Sequence, residues 1–172
     1  MKLVLKADRL IDGSSSKVVP NAAVVIEGET ISKVCSQSEL TEIELAEARV
    51  IDSSGGTLMP GFIEMHSHIH CSAESDAYTH ITTETNETFL LRGSQAVRSS
   101  LSSGVTTMRD LGSRNEVVFP LRQSIEEGII PGPRLLVAGT PITTTGGHCN
   151  TFGTEADSSE QVVRAIRNQF KL

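Results

Sequence analysis

Two histidines separated by one residue, His66 and His68, are the side chains of this sequence best suited to metal chemistry. Because alternate residues of a β-strand point to the same face, both imidazoles can aim at one point while Ser67 faces away. Imidazole nitrogen is a good ligand for zinc and similar divalent metals. A catalytic metal usually needs three or more protein ligands. The spacing therefore predicts a divalent metal, with zinc preferred, held in part by His66 and His68.

The residues before the pair predict the strand that carries it. Pro60-Gly61 is a turn pair, and the segment from Phe62 to Met65 is apolar enough for one short buried strand. Its lack of polar alternation is typical of a strand buried on both faces in a parallel sheet or barrel. Without such a context, a His-x-His pair in a soluble chain is more often incidental than metal-binding.

Other polar residues near predicted strand ends are weaker candidates. His70 shares the strand parity of His66 and His68, and we expect it to pass beyond the metal and line the substrate pocket. Arg109 and Asp110 lie at a strand end, where barrels present catalytic groups, but a structural ion pair is the preferred interpretation. His80 lies in a polar stretch and is interpreted as a loop histidine.

The sequence divides into two regions, which we predict as domains 1–57 and 58–172. The first contains short strands separated by turns, which predict a small β-sheet or β-sandwich part with a structural role. Its predicted strands are 2–11, 22–26, 31–34 and 49–52, followed by a linker at 53–56.

From residue 58 the pattern becomes strand followed by helix, three times, as in a parallel sheet or barrel. The predicted strands end near residues 65, 108 and 138, and helices begin near 86, 117 and 158. A complete (β/α)8 barrel needs about 200 residues or more, and only about 115 follow residue 57. The α/β fold class expected here is therefore a β-sandwich part followed by the first three βα units of a barrel that is cut short.

Composition limits the possible partners. Fifteen basic and twenty-one acidic residues give a net charge of −6 over 172 residues, which argues against nucleic acid as a partner. Three cysteines without CxxC spacing argue for reduced thiols in a cytoplasmic protein. The sequence also predicts no signal peptide and no membrane span.

The motif from Pro60 to His68 resembles the first barrel strand of the amidohydrolase superfamily, with Glu64 where that family usually has Asp. Other matching segments follow in the order of the imidazolonepropionase-like branch, which includes metal-dependent dipeptidases. They are residues 49–52, 104–112, 132–134 and 145–148.

The resemblance implies a hydrolase of C–N bonds, in amides or dipeptides, that uses metal-activated water. It places His148 at the active-site mouth, where it can contact a small-molecule or dipeptide substrate, although a plain loop histidine beside Gly146-Gly147 is an equally good interpretation. It implies that the remaining ligands and the general base belong to strands after residue 172.

Two other interpretations stay open. The chain is a catalytically inactive truncated or split fragment that acts as a structural partner, or it is a small stand-alone metal- or ligand-binding α/β domain. We expect no appreciable hydrolysis by residues 1–172 alone. An open barrel edge also predicts an oligomer, or pairing with a complementary barrel fragment.

Overall fold

A computed structural model of the protein describes residues 2–71 and 75–171, which form two compact units divided between Pro60 and Gly61. The first unit is one four-stranded sheet in the order β3-β2-β1-β4. β1 pairs antiparallel with β2 and parallel with β4. Its elements are β1 (Lys2–Leu10), β2 (Val19–Glu27), β3 (Thr30–Ser36), a 3-10 turn (Gln37–Glu39), α1 (Glu42–Ala46) and β4 (Ala48–Leu58).

Buried apolar side chains lie on both faces of this sheet, since the consecutive residues 22–25 of β2 are all buried. Leu10, Ala22 and Val24 pack together, and Val4 and Ala7 are fully buried. The prediction of a linker at 53–56 is wrong, because these residues lie inside β4. They form a bulge in β4, because Ala7 pairs with Ser53 whereas Arg9, two residues later, pairs with Thr57, four residues later. Gly55, at φ 80°, supplies the left-handed conformation that such an irregularity favours.

The second unit contains a parallel sheet in the order β5-β6-β7, with helices in between. Three strand–helix units are thus present, as the sequence predicts. A short parallel pair, β8 and β9, precedes the last helix. The elements are β5 (Phe62–Ser67), α2 (Ala77–Thr83), α3 (Asn86–Ser102), β6 (Val105–Asp110), α4 (Val118–Glu126), β7 (Arg134–Val137), β8 (Ile142–Thr143), β9 (Thr154–Glu155) and α5 (Ser159–Gln169).

Local signals explain where these helices begin and end. The Thr85 hydroxyl accepts a hydrogen bond from the Thr88 amide and caps α3, and Gly104, at φ 92°, ends that turn. Ser158 and Gln161 form the predicted capping box of α5. The helices α3 and α4 cover the sheet through a core of Ile69, Val97, Met108, Val118, Leu121 and Leu135.

Apolar residues on the edge strand β5 and on the helix α5 remain exposed. Phe62, Ile63 and Met65 of β5 are at least half exposed, whereas the sequence predicts a strand buried on both faces. The reason is that β5 is an edge strand of the sheet that the described residues form. The apolar stripe of α5 is also open, and Phe170 is 86% exposed.

Part of the polar stretch before α3 forms the helix α2 (Ala77–Thr83). His80 lies in α2 rather than in a loop, and its Nδ1 is 2.8 Å from Glu84 Oε1. The guanidinium of Arg114 donates to the carbonyls of Ile81 and Glu84, both at 2.6 Å, and so closes the C-terminal end of this helix. Across 2–71 and 75–171, no helix is both long and apolar enough to cross a membrane.

Candidate functional site

The imidazoles of His66 and His68 lie together at the C-terminal end of β5. Their ring centroids are 5.6 Å apart, and the rings meet edge to face at 66°. His66 belongs to the strand and His68 follows its last residue, so the strand parity still applies to both. His66 is exposed and His68 is partly buried. The structure therefore brings the two predicted metal ligands to one place.

Contacts between β5 and β6 fix the strand beneath these rings. The Arg109 guanidinium donates through Nε to the Met65 carbonyl at 2.7 Å, and the Leu111 amide donates to the Ser67 carbonyl at 2.8 Å. The His66 amide donates to the carboxylate of Glu64 at 2.9 Å. Glu64 is thus held by the backbone beside the histidines.

Arg109 and Asp110 do not form the structural ion pair predicted from the sequence. Successive strand residues point to opposite faces, so Arg109 is exposed and Asp110 is fully buried. Asp110 accepts backbone hydrogen bonds from Ile69 at 3.0 Å and from Gly112 at 3.2 Å. Burial raises the pKa of this carboxyl, and the hydrogen bond from Ile69 opposes that rise.

The separation of His66 and His68 fits two ligands of one metal ion. A ring centroid lies roughly 3 Å from a metal bound at about 2.0–2.1 Å, so two rings in tetrahedral geometry stand roughly 5 Å apart. The observed 5.6 Å is close to this value. Within the described part of the chain, no cluster of three or more His, Cys, Asp or Glu residues suits a metal. These two residues therefore fit part of a metal site.

His70 lies in the core and not in a pocket. It is 2% exposed, its Nδ1 is 2.8 Å from the Ser113 hydroxyl, and its ring stacks on Phe89 at 4.4 Å. Burial, helped by the charge of Arg114, lowers its pKa to about 4. Strand parity fails here because β5 ends at Ser67 and a turn follows, in which the Cys71 amide donates to the His68 carbonyl. This placement does not support the predicted substrate-binding role.

His148 faces the same cavity as His68. The cavity has a volume of about 250 Å³. The loop between β8 and β9 presents His148, which is exposed, together with Gly147 and Cys149. Opposite them, the segment that follows β5 contributes His68 and Cys71. The structure thus brings His68 and His148 together across 80 residues of sequence and leaves His70 apart.

Aromatic and thiol groups complete the wall of this cavity, and sequence reasoning missed most of them. Tyr78, Ile81 and Phe152 supply its apolar part, and the Tyr78 hydroxyl hydrogen-bonds to the Thr151 hydroxyl at 2.7 Å. No spacing in the sequence signals this convergence, because Tyr78 and Phe152 lie on separate segments. Burial raises the pKa of both the Cys71 and the Cys149 thiol.

A larger groove of about 630 Å³ lies elsewhere in the second unit. It is mainly apolar, with Phe119, Ile166 and Phe170 among its lining residues, and it contains none of the four predicted site residues. Since metal ligands and substrate-orienting polar groups must meet at a functional site, the smaller cavity beside His68 is the better candidate.

Comparison with known proteins identifies relatives of this architecture. A model of the amidohydrolase family matches residues 57–172. The chain is 26% identical over 157 residues to an imidazolonepropionase of Anaeromyxobacter sp. strain K, covering 89% of this chain and 33% of the relative. It is 28% identical over 156 residues to the ochratoxinase of Aspergillus niger, covering 89% of this chain and 31% of the relative.

Solved structures show the same fold. The crystal structure of a Xaa-Pro dipeptidase with methionine bound in the active site superposes with a TM-score of 0.86 and 30% sequence identity. The match covers 99% of this chain and 45% of that protein. The chain thus spans about a third of the curated relatives' length and under half of this structural relative.

Proposed function

This chain belongs to the amidohydrolase family, and we propose that it supplies metal ligands and part of the substrate pocket to a metal-dependent hydrolase of C–N bonds. The substrates proposed are amides or dipeptides, because the sequence resembles the imidazolonepropionase-like branch, for which these are the implied substrates. One observation carries the proposal. The imidazoles of His66 and His68 converge at the C-terminal end of a parallel strand, beside a cavity that His148 also lines.

Amidohydrolases generally use divalent metals, and His66 and His68 are the residues proposed to hold one here. Zinc is proposed because imidazole nitrogen suits it and because the ring separation fits. When bound, such a metal supplies Lewis acidity toward a carbonyl group and toward water. His68 is oriented by the Gly112 carbonyl, 2.9 Å from its Nδ1, which leaves Nε2 for the metal.

His148 is proposed to contact the polar end of the substrate. Its imidazole is exposed at the cavity wall, where the hydrogen-bonding capacity of the ring is open to a ligand. Ile81 and Phe152 offer apolar surface for the remainder of the ligand. A volume of about 250 Å³ lies just below the usual range of about 300–1,000 Å³ for ligand sites, which favours a small ligand. His70 is proposed to shape the site from the core.

The alternative is a catalytically inactive fragment that acts as a structural partner. Two observations favour it: no three-residue metal cluster among residues 2–71 and 75–171, and exposed apolar residues on β5 and α5. In this case the open sheet edges would bind a second copy or a complementary barrel fragment. Under either proposal a cytoplasmic location is suggested by three free thiols, Cys35, Cys71 and Cys149.

The test assays the complete polypeptide that the gene encodes, with residues 1–172 as a second sample where that polypeptide is longer. Each sample is loaded with zinc and assayed for amine release from a panel of dipeptides and N-acyl amino acids. The hydrolase proposal predicts turnover by the complete polypeptide that the double change His66→Ala with His68→Ala abolishes. His148→Ala should raise KM for the substrate while the bound zinc remains.

A matched control is His80→Ala, which removes an imidazole of α2 that pairs with Glu84, the residue directly after the helix. It should leave turnover intact. Weak metal binding and no turnover by the complete polypeptide would favour the structural-partner alternative. Turnover that survives the double change at His66 and His68 would place the metal ligands elsewhere.

A further inference from the structure

Asp110 ties together the two loops that leave β5 and β6. It is 0% exposed, and each of its carboxylate oxygens accepts one backbone amide. Oδ1 accepts from Ile69 in the loop after β5, at 3.0 Å, and Oδ2 accepts from Gly112 in the loop after β6, at 3.2 Å. A buried carboxylate that satisfies two amides is costly to replace, because each amide left without an acceptor is destabilising.

The second of these amides belongs to the residue that orients His68. The Gly112 carbonyl is 2.9 Å from His68 Nδ1. A carbonyl oxygen can only accept a hydrogen bond, so Nδ1 must carry the proton of the neutral ring. The lone pair is then on Nε2. In metal sites a histidine commonly donates its other N–H to such a partner, which fixes the tautomer and the ring orientation.

Gly112 is held from its other sides as well. Its φ of 151° lies in the region that favours glycine, and a Cβ on it would come within 2.4 Å of Pro141 Cγ. The next amide, that of Ser113, donates to the Gly139 carbonyl at 2.8 Å. The peptide groups on both sides of Gly112 are therefore held. Asp110 accepts the Gly112 amide, and Gly139 accepts the Ser113 amide, which shares a peptide group with the carbonyl that faces His68.

We propose that Asp110 is a positioning residue that fixes His68 as the Nδ1–H tautomer through Gly112 and so presents Nε2 for metal binding. The role of His68 in metal binding rests on the proposed function. The tautomer of His68 does not depend on it. The hydrogen bonds of Asp110 go to the backbone amides of Ile69 and Gly112, so it orients His68 through the backbone, while its charge also interacts with the His68 ring.

The first test is nitrogen-15 NMR of the imidazoles in the metal-free protein at a pH where His68 is neutral. The expected spectrum shows His68 as the Nδ1–H tautomer in the wild type. Asp110→Asn keeps one acceptor oxygen but places an NH₂ group opposite a backbone amide, so the Gly112 carbonyl shifts and the His68 signals move toward a mixture of tautomers. A role confined to stability would leave the tautomer of the folded protein unchanged.

The second readout is zinc affinity, measured by direct calorimetric titration, because two imidazoles are expected to bind zinc weakly. Loss of an outer partner of a metal-binding histidine typically weakens binding about 10–100-fold, and we expect a loss of this size for Asp110→Asn. The matched control is Asp12→Asn, because Asp12 accepts the Ser14 amide at 2.9 Å but lies on the surface of the first unit. It should leave both the His68 tautomer and zinc affinity unchanged.

The outcomes separate the two proposals. A wild-type His68 in the Nε2–H tautomer overturns the role of Asp110, whether or not the Asp110→Asn variant folds. An unchanged tautomer and unchanged zinc affinity in a folded Asp110→Asn protein also overturn it. If the double variant His66→Ala with His68→Ala binds zinc as well as the wild type does, the proposed metal site is wrong. The tautomer experiment still tests the positioning role of Asp110 in that case.

Discussion

Replacement of Phe89 by alanine should destabilise the second unit strongly. Phe89 is 1% exposed and packs with Ile81 and Val117 in a core cluster beneath α2. One face of its ring stacks on His70 at 4.4 Å, and the Arg114 guanidinium lies over the ring at 4.7 Å. A single side chain thus connects the turn after β5 with the arginine that closes α2.

The magnitude follows from these contacts. A buried Phe→Ala change costs about 3–5 kcal/mol, of which part is the cavity left behind. Phe89→Leu keeps most of the apolar volume but loses the ring stacking, worth about 0.5–1.5 kcal/mol. It also loses the cation–π contact, worth about 0.5–2 kcal/mol. We therefore expect Phe89→Leu to lower the free energy of unfolding by about 1–3 kcal/mol, which is less than the loss expected for Phe89→Ala.

Urea unfolding followed by far-UV circular dichroism measures these losses. Every α-helix of the described residues except the short α1 belongs to the second unit, so the helical signal reports on that unit. Phe170→Ala is the control, because this ring is 86% exposed and its loss should change the unfolding free energy by only about 0.5 kcal/mol. Equal effects of Phe89→Ala and Phe170→Ala would refute the packing account.

Three further predictions concern the second unit. Ser158→Ala should lower the free energy of unfolding by about 1 kcal/mol, because it removes the N-cap of α5. Faster hydrogen exchange of the amides in the first turn of α5 would show this loss. The hydrogen bonds from Thr145 lower the pKa of Asp157 below 3.8, so their stabilisation is complete above that pH and is lost as the pH falls through the lowered value. Exchange protection of the Thr145 amide, followed across this range, should fall with the pH; a constant value would contradict the assignment. Gly93→Ala gains about 1 kcal/mol of helix propensity but places a Cβ 2.6 Å from His70 Nε2. Steric crowding in the core costs about 1–3 kcal/mol. We therefore expect a lower urea midpoint of unfolding for Gly93→Ala than for the wild type, and a higher midpoint would contradict this prediction.

The sequence predicted the strands and helices well where local patterns determine them. The capping box at Ser158 and the glycine at 104 mark real helix boundaries, since both act within a few residues. The predicted linker at 53–56 failed because pairing with β1 extends β4 through a bulge. Pairing of this kind depends on a distant strand, which local turn chemistry does not reveal.

The candidate site was predictable only in part. His66 and His68 were found because strand periodicity places alternate residues on one face. The same rule misplaced His70, because the strand ends at Ser67 and a turn carries His70 into the core. The partners of Asp110 are backbone amides of residues 69 and 112, and backbone groups carry no sequence signal.

Zinc titration of residues 1–172 by calorimetry tests the metal site most directly. We expect weak binding of one zinc ion, because two imidazoles fall short of the three protein ligands that catalytic sites usually provide. His66→Ala with His68→Ala should abolish that binding, and the control His80→Ala should leave it unchanged. Tight stoichiometric zinc binding that survives the double change would contradict the central claim and locate the site elsewhere.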